Sequence, residues 1–135
     1  MSELSPSRRL VDQRVRNRIM EAILGLSEGD AGVDKSGTTE WFESFFDYFP
    51  YDGPEVSDVT SINGEEWSAL TSLLAVMQTA FSETSGDIAG AELIVTGWPA
   101  RIARIAAETL SVFLARGRFS EEAEEQTPSS PAHWP

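Results

Sequence analysis

Cysteine is absent from this chain, lysine and histidine occur once each, as Lys35 and His133, and no apolar run approaches the length of a membrane span. The first absence excludes disulfides, a thiolate nucleophile and cysteine-ligated zinc or iron–sulfur centres. His133 lies in a proline-rich terminus, where no third group orients it for serine–histidine chemistry. Lys35 stands outside any phosphate-loop motif, and no Gly-x-Gly-x-x-Gly occurs. With no catalytic constellation and no cofactor motif, neither catalytic residues nor a cofactor are expected. The lack of an apolar signal region and of a membrane span predicts a cytoplasmic protein with no membrane partner.

Basic residues are the next scarcity. Ten face 22 acidic ones, for a net charge of −12, which disfavours nucleic acid as a direct ligand. The imbalance is segregated: residues 1–26 and 98–118 carry +2 and +3, whereas residues 27–66 carry −10. The nine arginines lie in the two positive segments, and the economical expectation is that they pair with the acidic middle of the same chain or of a partner subunit.

What remains is ordinary globular material. Of the 135 residues, 41% are apolar and 24% charged, enough for one domain with a core of its own. Seven of the thirteen aromatic residues fall between Trp41 and Tyr51. Helical spacing accounts for most of the chain. Ser5-Pro6 reads as a helix start, followed by Val11, Val15, Ile19, Ala22, Ile23 and Leu26 on one stripe, with Asp12 and Arg16 as an i,i+4 pair. Gly25 and the glycines after it predict a stop and a flexible loop.

A threonine cap after Gly37 opens a second helix through Trp41, Phe45 and Tyr48, ended by Pro50, with acidic Glu40, Glu43 and Asp47 opposite the rings. Residues 50–62 read as a long loop. Asn63 and Glu66 form a capping box, and Ile62 and Trp67 a hydrophobic staple. They start an expected central helix along Leu70, Leu73, Leu74, Met77 and Phe81. Residues 87–96 fit a short helix or a strand, the helix being favoured because no second good strand is present. Pro99 opens a last helix along Ile102, Ile105, Ala106, Thr109, Val112 and Phe113, with Arg101 and Arg104 off its stripe. The prediction is an all-α compact bundle of four or five helices, spanning residues 1–118. A disordered, acidic and proline-rich tail follows at 119–135.

Two acidic patterns merit metal chemistry as weak alternatives. Glu40-x-x-Glu43 and Glu55-x-x-Asp58 resemble the paired carboxylates that hold magnesium in nucleotide pyrophosphohydrolases of the MazG type, although the second pair lies among glycine and proline. The stretch from Gly32 to Glu43 resembles an EF-hand loop without its first carboxylate. A pocket lined by Trp41, Phe45 and Trp67 would instead suit a small molecule.

The leading expectation is a non-enzymatic protein that acts through protein–protein contact, as an inhibitor, immunity protein or regulatory subunit. It is expected to self-associate as a homodimer, with a basic protein as a further partner. Surplus aromatics and unpaired arginines mark contact surfaces. They nominate Trp41, Phe42, Phe45, Phe46, Tyr48 and Tyr51 with Arg14, Arg18, Arg101 and Arg104. Arg14 and Arg18 stand out as like charges at i,i+4 on one helix.

Overall fold

The computed structural model describes residues 5–49, 51–52, 55–56, 59–85 and 87–128. Among these the chain is all-α, with six helices: α1 (Arg8–Ser27), α2 (Asp30–Ser36), α3 (Thr38–Phe46), α4 (Gly64–Thr84), α5 (Gly90–Val95) and α6 (Trp98–Leu114). Between α3 and α4, within the expected loop, β1 (Tyr51–Asp52) pairs antiparallel with β2 (Glu55–Val56), Tyr51 opposite Val56.

The helix starts follow local chemistry with two corrections. Ser7, not Ser5, caps α1, its hydroxyl accepting from the Leu10 amide at 3.1 Å. Gly37, in the left-handed region at φ 85°, precedes α3, and the Thr38 hydroxyl is buried without a partner instead of capping. The Asn63–Glu66 capping box on α4 forms in both directions, and Ile62 and Trp67 both join the core cluster. Residues 90–95 are helical, as the lack of a partner strand required.

Two segments depart further from the sequence pattern. Gly25 does not stop α1, which runs on to Ser27, and the expected flexible loop folds into α2. Gly29 makes this possible: its φ of 59° lets the chain turn directly against α6, where a Cβ would lie 3.1 Å from the Ala103 Cβ and 3.4 Å from the Pro99 oxygen. With α2 and α3 helical across Gly32 to Glu43, no twelve-residue calcium loop exists there.

The core joins Ile19, Met20, Ile23 and Leu26 of α1, Trp41, Phe42 and Phe45 of α3, Leu70, Leu73 and Met77 of α4, and Ile102, Ala106 and Phe113 of α6. The hub is α6 rather than α4, because α6 packs against α1, α4, α5 and α2. Rings bridge α3 to α4: Phe81 meets Phe42 and Phe46 edge-on at 5.2 and 5.6 Å, and Phe49 meets Trp67 at 6.3 Å. Each such pair adds about 0.5–1.5 kcal/mol beyond area burial.

The N-terminal half of α1 reverses the expected amphipathicity. Val11 is exposed, whereas Asp12, Gln13, Arg16 and Asn17 are buried. Their cover is partly the segment after α6. Residues 119–128, which composition assigns to a tail, lie along α1, so ordered packing continues beyond 118. No described helix is long and apolar enough to cross a membrane.

Candidate interaction surfaces

The most concentrated chemistry in the molecule is internal. The Glu66 carboxylate accepts from Arg16 at 3.2 and 2.7 Å and from Arg116 at 3.0 and 2.6 Å, and its Oε1 also accepts the Asn63 amide at 3.1 Å. The rest of the Arg16 guanidinium donates to the Gly117 oxygen at 2.8 Å and to the Phe113 oxygen at 3.1 Å. Asp12, expected to pair with Arg16, instead accepts from the Thr60 amide and hydroxyl at 2.9 and 2.8 Å and lies 3.7 Å from Arg8.

Burial pushes the Glu66 carboxyl up, but the hydrogen bonds from Arg116 and Arg16, with the Arg16 charge, outweigh it and hold the group below the usual carboxylate range. Burial lowers Arg16 from its ordinary value against the pull of Glu66, and the guanidinium stays cationic. Arg16 and Glu66 are fully enclosed, whereas Arg116 is partly exposed. The cluster ties α1, the start of α4 and the end of α6 together.

Most other arginines turn towards the segment after α6. Gln13 donates to the oxygens of Ser120 and Ala123 at 2.9 Å each and accepts the Glu125 amide at 2.7 Å. Arg14 donates to the Glu121 oxygen and Arg9 to the Glu125 oxygen, both at 3.0 Å. The Glu121 carboxylate receives Arg18, Arg118 and Asn17. Burial pushes its carboxyl up, and the Asn17 hydrogen bond with the charges of Arg18 and Arg118 outweighs that and holds it low. The expectation that arginines match the acidic middle therefore applies to Arg16 and Arg116, through Glu66. The nominated Arg14 and Arg18 are occupied by residues 121 and 21.

The nominated aromatic residues divide sharply. Trp41, Phe42 and Phe45 are buried, so they belong to the core and are corrected as surface candidates; Trp41 meets Phe42 edge-on at 5.2 Å. Phe45 meets Phe46 and Phe49 at ring distances of 5.9 and 6.0 Å. Phe46 is half-buried, while Tyr48 and Phe81 are 49% and 41% exposed. The side chain of Tyr51 lies outside the described residues.

Exposed carboxylates stand on α2, on α3 and just after it. Asp30, Asp34, Glu40, Glu43 and Asp47 make no ion pair among the described residues, and the nearby Lys35 pairs with Glu28 at 3.4 Å. Glu40 and Glu43 share α3, but the Glu55 side chain and Asp58 lie outside the described residues, so the four-carboxylate arrangement is not on view. Among the described residues no three acidic or histidine side chains gather closely enough to hold a metal.

A second surface runs across α4 and α6. No charged residue occurs in α4 from Trp67 to Ser82, and its outer face is built of Ser68, Thr71, Ser72, Ala75, Gln78 and Thr79. Shallow hollows flank it, one lined by Ala75, Val76, Thr79, Trp98 and Arg101, the next by Arg101, Arg104, Ile105 and Glu108. Arg101 stacks 4.2 Å over the Trp98 ring, and like Arg104 it has no carboxylate partner among the described residues. Sequence reasoning missed Gln13, Asn17 and Glu121 as a contact set; the like-charged Arg14 and Arg18 were the available signal.

No protein-family model matches the chain, and comparison with curated proteins and with solved structures finds no match.

Proposed function

We propose that this chain is a non-enzymatic interaction protein of the inhibitor, immunity or regulatory-subunit type, and that it meets a basic protein partner through the α2–α3 face. One observation carries the reading: seven of the nine arginines are engaged within the chain, whereas Asp30, Asp34, Glu40, Glu43 and Asp47 are exposed with no ion pair among the described residues, Asp47 directly before the exposed ring of Tyr48. Aromatic anchors give a contact its affinity, and surrounding like charge steers and selects a partner of opposite sign.

Titration of isotope-labelled protein with a lysine- and arginine-rich peptide carrying one aromatic residue tests this. Amide shifts are expected to concentrate in residues 40–48 and 78–83, to weaken with salt, and to disappear in Glu43→Lys/Asp47→Lys. Shifts spread evenly over the surface, or binding unaffected by the charge reversals, would reject the reading.

The uncharged outer face of α4 favours a second reading, self-association. Two copies of a chain carrying −12 repel one another at most approaches, and contact is least opposed where neither presents charge. Light scattering should then detect a dimer that strengthens with salt and dissociates in Ala75→Glu. A strict monomer at high protein concentration in both low and high salt removes this reading.

A further inference from the structure

The segment after α6 is held in an unusual way. Among its described residues the one fully buried apolar side chain is Phe119, at the hinge end, seated beneath Arg9, Arg16 and Arg116 at 5.0–5.5 Å. Beyond Phe119 the attachment is polar, and much of it reaches the main chain. Gln13 takes two carbonyls and one amide, Arg9 takes the oxygens of residues 125 and 126, Arg14 takes that of residue 121, and Asn17 takes that of Phe119 at 3.0 Å. The i, i+4, i+8 spacing of Arg9, Gln13 and Asn17 sets these donors in a row along one helix face.

Side-chain selection occurs chiefly at Phe119 and at Glu121, which meets Arg18, Arg118 and Asn17. Water can replace hydrogen bonds of this kind, so each contributes only about 0.5–1.5 kcal/mol net, or about 1.5–3 kcal/mol where an arginine donates. A segment attached mainly in this way opens more readily than the helical core. The fit also leaves the buried Asn17 Oδ1 without a partner.

We propose that the α1 row of Arg9, Gln13, Arg14, Asn17 and Arg18 is a peptide-binding site for a bent acidic segment, the Ser120 hydroxyl accepting from the Glu122 and Ala123 amides. Residues 120–126 occupy it in cis, and the same segment of a second copy occupies it in trans. The choice of a second copy rests on complementarity: Glu121 answers Arg18, and every main-chain contact is reproduced whichever molecule supplies the segment. Gly117, at φ 88° between α6 and Phe119, is where the path diverges. Linkage gives the cis segment an effective concentration of about millimolar for a short tether, so exchange emerges when the cis contact is weakened. This site is separate from the α2–α3 face and from the outer face of α4.

Complementation between two full-length variants tests the proposal. Arg14→Ala/Arg18→Ala weakens the site but keeps the segment; Glu121→Ala/Glu125→Ala weakens the segment but keeps the site. Amide exchange at Ser120 and Glu125, whose N–H groups are bonded to Glu125 Oε1 and Gln13 Oε1, should rise about tenfold or more in each. Mixing them should yield a heterodimer by native mass spectrometry, with neither variant dimerising as strongly alone.

Unchanged exchange overturns the assignment of the contacts, and raised exchange with a mixture that stays monomeric overturns the exchange in trans. If a variant does not fold, the wild-type chain carries the test. A synthetic peptide copying residues 118–127 at about millimolar concentration should speed exchange at both amides where a scrambled peptide does not. Equal exchange with the two peptides overturns the proposal.

Discussion

Glu66 joins two roles that ordinarily fall to different side chains. It closes the capping box of α4 and, fully buried, accepts four hydrogen bonds from Arg16 and Arg116. Removing one member of such a cluster leaves the others charged and enclosed, so Glu66→Ala should lower stability in urea denaturation by about 3–5 kcal/mol. Glu66→Gln should preserve the cap, since glutamine serves at that position, yet still lose the charge pairing. Comparing it with Asn63→Ala, which breaks only the cap at about 0.5–2 kcal/mol, separates the two roles. The pH dependence has a definite sign. The carboxyl is held below its ordinary 4.5, so its contribution is complete above that value and is lost as pH falls through the lower folded value. Urea midpoints should therefore fall more steeply with acid in the wild type than in Glu66→Gln; parallel slopes would assign the acid sensitivity elsewhere. The capping role was legible in the letters Asn63-Gly64-Glu65-Glu66. The ionic role was not, because Arg16 and Arg116 arrive from positions some fifty residues away on either side.

Among the elements, α4 and α6 follow from spacing alone, whereas α2 and the segment at 119–128 depend on contacts no local pattern contains. Glycine marks the difference. Gly29 works through its positive φ and the close approach of α6, so Gly29→Ala adds both backbone strain and a clash. The expected loss is about 1–3 kcal/mol, read as a lowered melting temperature and faster amide exchange in α2. Gly25 stands within α1 with no atom within 4 Å of a built Cβ, and Gly25→Ala should stabilise by about 0.5–1 kcal/mol. The sequence alone makes both residues look like loop formers. Their opposite responses would show that one is a tertiary requirement and the other an ordinary helix position. The segment at 119–128 was hidden for a related reason: its acidic letters are those of a solvated tail, while its attachment uses donors on α1 that read as misplaced charge. Of the candidate surface, the acidic side of α3 was legible from spacing. The fate of each ring was not, because Phe81, seventeen residues beyond Gly64, packs edge-on against both the buried Phe42 and the half-buried Phe46.

At the scale of the whole molecule, the distribution of charge opposes stability on one side. Arg16 and Arg116 neutralise Glu66, Arg9, Arg14, Arg18 and Arg118 hold down the C-terminal segment, and the α2–α3 face keeps its negative charge exposed. Asp47 is the clearest case. It caps the C-terminal end of α3, where the helix dipole is negative and a carboxylate is unfavourable, and it makes no ion pair among the described residues. Folding alone would favour a cation there. Asp47→Lys should therefore raise stability by about 0.3–1 kcal/mol at low ionic strength. The gain should fade towards 1 M salt, where charges are screened over about 3 Å. The same substitution is expected to weaken the basic peptide in the titration described above, and that opposition is the point of the experiment. A carboxylate retained against stability but needed for binding belongs to a recognition surface. If Asp47→Lys destabilises the chain at every salt concentration, the acidic face is part of the fold's own support, and the case for a basic partner loses its physical motive.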